Sequence, residues 1–337
     1  MHTPLEPRQR PPRPARPLAA LALQAALVLA LCGLLWWLAR HAVEALRARG
    51  VHSGFDFLRD AAGIPISEGW PEYAPEQPFW RAFLTGAGNT VRAALPAGAL
   101  AVLLGLLLGV GRLAPHRLVS GLCALYVHTV RNVPLLLQLL MLAFAISALL
   151  PDATAPLRLL PGVWLSQAGL TLPWPVHDAG AGWALQWPEP GNFGVTGGAA
   201  LSPEYVAIVT ALTLYSAAFI AEIVRAGIQA VPEGQWLAAR ALGLTPAQQM
   251  RLIVLPQAQR VIVPALANQL LSLTKNSSLA VAVGYPELMS VANMTIGSTG
   301  RAFECIAIVM AVYLALSLAI AALMNVYNRR VALRGWA

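Results

Sequence analysis

The chain has 337 residues, of which 57% are hydrophobic and 11% charged, with a formal net charge of +8. Soluble domains are roughly a quarter charged, so this composition excludes an ordinary soluble fold and indicates an integral membrane protein, which its helix-length apolar runs make all-α and polytopic. The positive balance does not indicate nucleic acid: the arginines stand at the ends of apolar runs, the placement that sets membrane topology.

The chain opens with a basic tail, 1–17, carrying Arg8, Arg10, Arg13 and Arg16. This tail is expected to be cytoplasmic. Residues 18–39 carry no charge, and ~20 apolar residues suffice to cross a bilayer. A secretory signal is the alternative, but its apolar region is usually ~7–15 residues and no small-x-small cleavage site follows. The segment 18–40 is therefore read as a retained first transmembrane helix, followed by a periplasmic loop over 41–84.

The second uncharged run is 93–111. Gly105 and Gly109 make a small-xxx-small pair, which predicts close helix packing. An amphipathic approach from His116 to Arg131 precedes a third apolar run, 132–151. Residues 152–203 are rich in Gly, Pro and Trp and show no long periodic segment. They read as an irregular periplasmic insertion. A fourth run, 205–221, lies between Glu204 and Glu222. Residues 257–286 are broken only by Arg260 and Lys275, and 305–328 lies between Glu304 and Arg329.

Six crossings from a cytoplasmic N-terminus put 112–117, 225–260 and the C-terminus inside, where Arg112, Arg117, Arg225, Arg240, Arg251, Arg260, Arg329, Arg330 and Arg334 lie. They put 42–88, 152–203 and 287–302 outside, with Asp56, Asp60, Glu68, Glu72, Glu76 and Asp178. Arg47 and Arg49 depart from the rule.

Enzymatic classes find little support. Cys32, Cys123 and Cys305 lie in apolar sequence without framework spacing and read as buried free thiols. His2, His41, His52, His116, His128 and His177 are scattered without ligand spacing. Lys275 is the one lysine and follows Thr274, so there is no phosphate loop, which needs Gly-Lys-Ser/Thr after a glycine-rich turn. No cofactor is expected in this chain.

One cytoplasmic stretch, GQWLAARALGLTPAQQMRLIVLP at 234–256, is strongly punctuated. Pro232 and Glu233 suit a helix start. Gly243 suits its left-handed end. Thr245, Pro246 and Gln248 have the spacing of a capping box that opens a second short helix running to about Leu255. Pro256 is expected to mark the turn into the next crossing. Trp236, Met250, Leu252 and Ile253 supply an apolar face for either a protein contact or a lipid surface.

The spacing of Ala238 and Ala239, Gly243, and Ile253-x-Leu255-Pro256 resembles the EAA loop of importer-type ABC transporter permeases. NTVRAALPAGALAVLLGLLLGVGRL at 89–113, YVHTVRNVPLLLQLL at 126–140, SAAFIAEIVRAGIQAVPEGQ at 216–235 and LTKNSSLAVAVGYPELMSV at 273–291 are similar to the same group, the general L-amino-acid and polar-amino-acid importers.

The resemblance implies a MetI-like ABC permease core of five helices over 85–334, in which 232–256 is the coupling loop. It implies ABC ATPase subunits that bind the ATP, a second permease subunit in a heterodimer, a periplasmic amino-acid-binding protein and an amino-acid substrate. The family usually has Glu where this chain has Leu237, so one polar contact to the ATPase is missing.

For the substrate path, ionisable residues inside spans are the default candidates. Glu222 and Arg225, three apart, suit a salt bridge. Lys275, Asn276, Ser277 and Ser278 interrupt an apolar run; they suit either a substrate's charged groups or a helix bend. Asn132 and Gln138 are weaker candidates. A secondary transporter driven by an ion gradient is the alternative; it would show internal repeats and a buried carboxylate, for which Glu222 is the intramembrane candidate.

Overall fold

The computed structural model describes residues 18–48, 54–69, 71–178 and 182–333. The basic tail 1–17, Arg49 and Arg334 lie outside them. The chain divides into two units, Met1–Phe55 and Asp56–Ala337. The first contains helix α1, Leu18–Ala48. Its apolar stretch, Ala22–Leu38, contains no proline, so backbone hydrogen bonding within one helix is the available solution in lipid.

The second unit is mostly helical. Its helices are α2 (Phe79–Gly111), α3 (Arg117–Asn132), α4 (Leu135–Leu149), α5 (Pro203–Gln229), α6 (Glu233–Ala241), α7 (Pro246–Gln248), α8 (Leu255–Asn276), α9 (Leu288–Thr299) and α10 (Ala302–Leu333). Between α4 and α5 lie eight short strands: β1 (Leu157–Leu160), β2 (Val163–Ser166), β3 (Gly169–Leu172), β4 (Trp174–Asp178), β5 (Gly182–Gln186), β6 (Glu189–Gly191), β7 (Gly194–Thr196) and β8 (Ala199–Leu201).

Among the described residues, α2, α5 and α10 are each long and apolar enough to cross a membrane. The count rises to five if each of two bent pairs forms one span. The expected six is therefore not reached on length and composition alone; the apolar stretch of α1, Ala22–Leu38, is shorter than the rest.

α2 and α5 form the centre of the core. An ideal Cβ on Gly105 would lie 2.6 Å from Ile220 Cβ, and one on Gly109 would lie 2.7 Å from Val224 Cβ. The expected small-residue pair is thus the seam that lets the two backbones approach. Ala97, Ala101, Ala217 and Ala221 are fully buried and continue it.

α2 starts at Phe79, inside the stretch expected to be loop. The polar residues that ended the apolar run are satisfied within the fold. Thr85 donates to Pro71 O at 3.2 Å and Thr90 to Gly86 O at 3.0 Å. Asn89 Nδ2 donates to Glu68 O at 2.9 Å and to Pro286 O at 2.8 Å. Residues 56–69 and 71–78 therefore form a strap on the core. Its carboxylate Glu68 accepts from Arg92 at 2.9 Å and from Ser202, the N-cap of α5.

The apolar run 132–151 forms α4, and its amphipathic approach forms α3. α3 and α4 meet at Pro134 with a bend of 103°. Gln138 Nε2 donates to Val130 O and Val133 O at 2.8 and 2.9 Å, covering carbonyls that the end of α3 leaves unpaired. Tyr126 OH donates to Leu214 O at 2.8 Å, fixing α3 against α5.

Two expected loops are ordered. The 152–203 insertion is strand rather than irregular chain: β1-β2-β3-β8 form an antiparallel sheet, and β4/β5 and β6/β7 form hairpins. The strands are only 3–5 residues long, too short to display a period in sequence. The expected outer loop 287–302 contains α9. Its Thr295 and Thr299 hydroxyls bond back to Val291 O and Thr295 O, which makes polar residues compatible with a packed helix.

Candidate functional site

The punctuated loop folds as its local chemistry dictates. α6 ends at Gly243, whose φ is +72°. Nothing lies within 4 Å of an ideal Cβ there, so the backbone angle, not space, demands glycine. Gly243 N–H donates to Arg240 O at 2.9 Å and Leu244 N–H to Ala239 O at 3.2 Å. These two bonds make a Schellman end. Thr245 and Gln248 form the capping box: Thr245 N–H donates to Gln248 Oε1 at 2.9 Å, and Gln248 N–H to Thr245 Oγ1 at 3.4 Å. Gln249 is buried and its Nε2 donates to Leu244 O at 2.7 Å, tying the second helix to the exit of the first.

After α7, Gln249–Val254 winds as a π-helix and runs directly into α8. Leu255 N–H donates to Met250 O, the i→i−5 bond of that winding. The expected turn at Pro256 is absent. A π segment accommodates a proline that brings no N–H, and such segments concentrate at functional sites.

The loop has an inner and an outer face. Trp236 and Met250 pack on the hydrophobic core, and Ala239, Val254 and Ala258 are buried. Trp236 and Met250 therefore anchor the loop rather than form its outward face. The outward face is apolar at Leu237, Leu242 and Leu252, which are 55%, 78% and 58% exposed, with Ala238 and Gly243 beside them. Ile253 is half-buried; Leu255 and Pro256 are exposed.

Glu222 is engaged by two guanidinium groups. Its carboxylate accepts from Arg225 Nε at 3.2 Å and is ion-paired with Arg112, which caps the end of α2. The three side chains tie α2 to α5. Lys275–Ser278 sit where α8 gives way to the 3-10 segment Ser277–Val283. Ser277 is buried and its hydroxyl donates to Thr274 O; Ser278 donates to Lys275 O. Lys275 is exposed and Asn276 half-buried. No hydrogen bond or ion pair joins Glu222 to this quartet among the described residues.

Glu287 was missed in sequence because it begins the expected outer loop. It is fully buried and caps α9, with Oε1 accepting from Ser290 N–H at 2.9 Å and Oε2 from Tyr313 OH at 3.0 Å. An acid just ahead of a helical stretch was the available signal.

Comparison with known proteins assigns this architecture. Residues 101–333 match the family described as binding-protein-dependent transport system inner membrane component. The chain belongs to that family. It is 34% identical over 361 residues to the general L-amino acid transport system permease protein AapQ of Rhizobium johnstonii, covering 91% of this chain and 90% of that protein. It is 36% identical over 362 residues to the putative amino-acid ABC transporter permease protein YhdX of Escherichia coli, covering 91% and 92%.

Among solved structures, the crystal structure of an amino acid ABC transporter with histidines superposes with a TM-score of 0.56 at 27% identity, covering 75% of this chain and 95% of that one. An inward-facing form of the MetNI methionine ABC transporter gives 0.52 at 19% identity over 75% and 97%, a likeness of fold. This permease is thus a multi-pass inner-membrane transport component with the importer-type core.

Proposed function

We propose that this permease is the membrane-spanning subunit of an ATP-driven importer that carries amino acids from periplasm to cytoplasm. The observation that carries the reading is the loop over 232–256: two short helices locked by a Schellman end and a capping box, with leucines facing outward and a continuous helical link into α8. An apolar face on a rigid, exposed element suits a protein groove. Ala238, Ala239, Gly243, Ile253, Leu255 and Pro256 build that element. The amino-acid assignments of AapQ and YhdX support the substrate class.

In this reading ABC ATPase subunits bind and hydrolyse ATP, and this chain holds no cofactor and does no covalent chemistry. A sister permease completes a heterodimer, and a periplasmic binding protein delivers the substrate. α1, α2, α5, α10 and the two bent pairs make six crossings, with both termini cytoplasmic. In the substrate path, Lys275 and Asn276 are the side chains of the quartet available to a ligand; Ser277, Ser278 and Glu222 serve the fold.

The test is purification from native membranes, identification of co-purifying chains and assay of ATP hydrolysis. A co-purifying ATPase that is lost on Gly243→Val supports the reading. A lone protein that takes up amino acids on an ion gradient overturns it in favour of a secondary transporter.

A further inference from the structure

The uncovered helix faces differ in chemistry. α2 exposes Leu95, Leu103 and Leu107, and α10 exposes Met310, Leu314 and Leu318. These faces suit hydrocarbon. Beyond Val261 and Pro264, the later half of α8 instead exposes Asn268, Ser272 and Lys275. They are spaced i, i+4, i+7 and so form one stripe along the helix. Asn268 also lines a cavity of about 260 Å³ together with Asn325 and Asn328 of α10.

Lys275 is the one lysine of the chain. No carboxylate lies within ion-pair distance of it among the described residues. At 1.5 Å per residue it lies roughly 22 Å along α8 from Arg260. A cation and two polar groups at that depth are tolerated where they meet water, an anion or protein, not lipid chains.

We propose that the Asn268–Ser272–Lys275 stripe lines the substrate path and that Lys275 binds a carboxylate of the substrate. The inference rests on the importer reading. An ammonium–carboxylate contact is a charge-assisted hydrogen bond, stronger than a neutral one. The carboxylate is the α-carboxylate shared by all amino acids or the side-chain carboxylate of acidic ones. The carboxamides of Asn268, Asn325 and Asn328 are the polar groups of the otherwise apolar cavity between α8 and α10, and Asn268 joins it to the stripe. A cationic side chain finds no counter-charge on this stripe.

The test uses the assembled complex in membrane vesicles, with Cys32, Cys123 and Cys305 replaced by alanine. Asn268→Cys, Ser272→Cys and Lys275→Cys are exposed to a membrane-impermeant methanethiosulfonate, with Leu103→Cys on α2 as the control. The expected result is labelling of the stripe positions but not of position 103, slowed by glutamate or glutamine. Stripe positions as inert as 103, or labelled without protection, overturn the proposal.

In uptake assays with the native cysteines present, Lys275→Met raises KM by about tenfold or more, from the loss of a charged hydrogen bond, and Lys275→Arg restores it. An equal effect on glutamate and glutamine assigns the α-carboxylate; an effect confined to glutamate and aspartate assigns the side chain. Unchanged KM for all of them overturns the proposal. Stripe cysteine variants that label as expected, beside a wild-type complex that shows no ATP-dependent uptake, overturn the importer reading instead.

Discussion

Asn89 and Pro286 stand 197 positions apart, and a 2.8 Å hydrogen bond from the Asn89 amide to the Pro286 carbonyl joins them. The same amide nitrogen donates to Glu68 O, so one side chain holds the strap, α2 and the entry to α9 together. Asn89 is fully buried. Asn89→Leu leaves two carbonyls without this donor and is expected to destabilise the protein by about 2–4 kcal/mol. Thermal unfolding of the purified protein in detergent measures it; a midpoint equal to wild type would remove Asn89 from its bridging role.

The α2–α5 seam has no room for side chains. Gly105→Val and Gly109→Val each drive a branched group into Ile220 or Val224. Each is expected to cost about 1–3 kcal/mol, the usual range for overpacking. The checks are folded yield in membranes and unfolding midpoint. The same change at Gly121, where nothing lies within 4 Å of an ideal Cβ, serves as the control.

Gly243→Val places a branched residue at φ +72°. The strain is roughly 1–2 kcal/mol, concentrated on the turn that sets the angle between α6 and α7. Folding of the spanning helices is expected to survive while ATPase association falls. Pull-down of the ATPase by the tagged permease, beside circular dichroism of the permease alone, separates these effects.

Leu237→Ala shortens an exposed side chain, so stability should change by less than about 0.5 kcal/mol. Association with the ATPase is expected to weaken. Leu237→Glu restores the acid usual at this position of the EAA loop. A variant with wild-type ATPase coupling would show that the charge is not required in this subunit.

Glu222→Gln removes the anion shared by Arg112 and Arg225. Two guanidinium groups then face each other across the α2–α5 ends, and a loss of about 1–3 kcal/mol is expected. Pairing Glu222→Gln with Arg112→Gln should recover part of that loss. A double-mutant cycle of unfolding midpoints checks it.

What could be read from sequence was what short-range chemistry decides. The glycine end at Gly243 and the capping box at Thr245 depend on residues within one turn of each other, and both formed as expected. The Gly105–Gly109 seam was legible because close packing leaves small residues in register. Long-range satisfaction was not legible. The uncharged run starts only at Ala93, yet the bonds of Thr85, Asn89 and Thr90 to Pro71, Glu68, Pro286 and Gly86 belong to an α2 that starts at Phe79. α9 was hidden for the same reason, since its threonines bond to their own helix. In the site, the hydroxyls of Ser277 and Ser278 suited either a substrate or a helix bend, and they close on nearby carbonyls. Only coordinates distinguish those cases.

The chain from Pro246 to Val283 is a single helical run, with π winding near its start and 3-10 winding near its end. Its 38 residues at 1.5 Å each make a rod roughly 57 Å long. Among the described residues no loop interrupts this run, although Pro264 and the changes of winding lie within it. A displacement at Leu252 is carried along this run toward Lys275, so loop and stripe lie at two ends of one lever. The slack in the linkage lies beyond it, at Gly284, where the left-handed backbone breaks the rod before α9 begins.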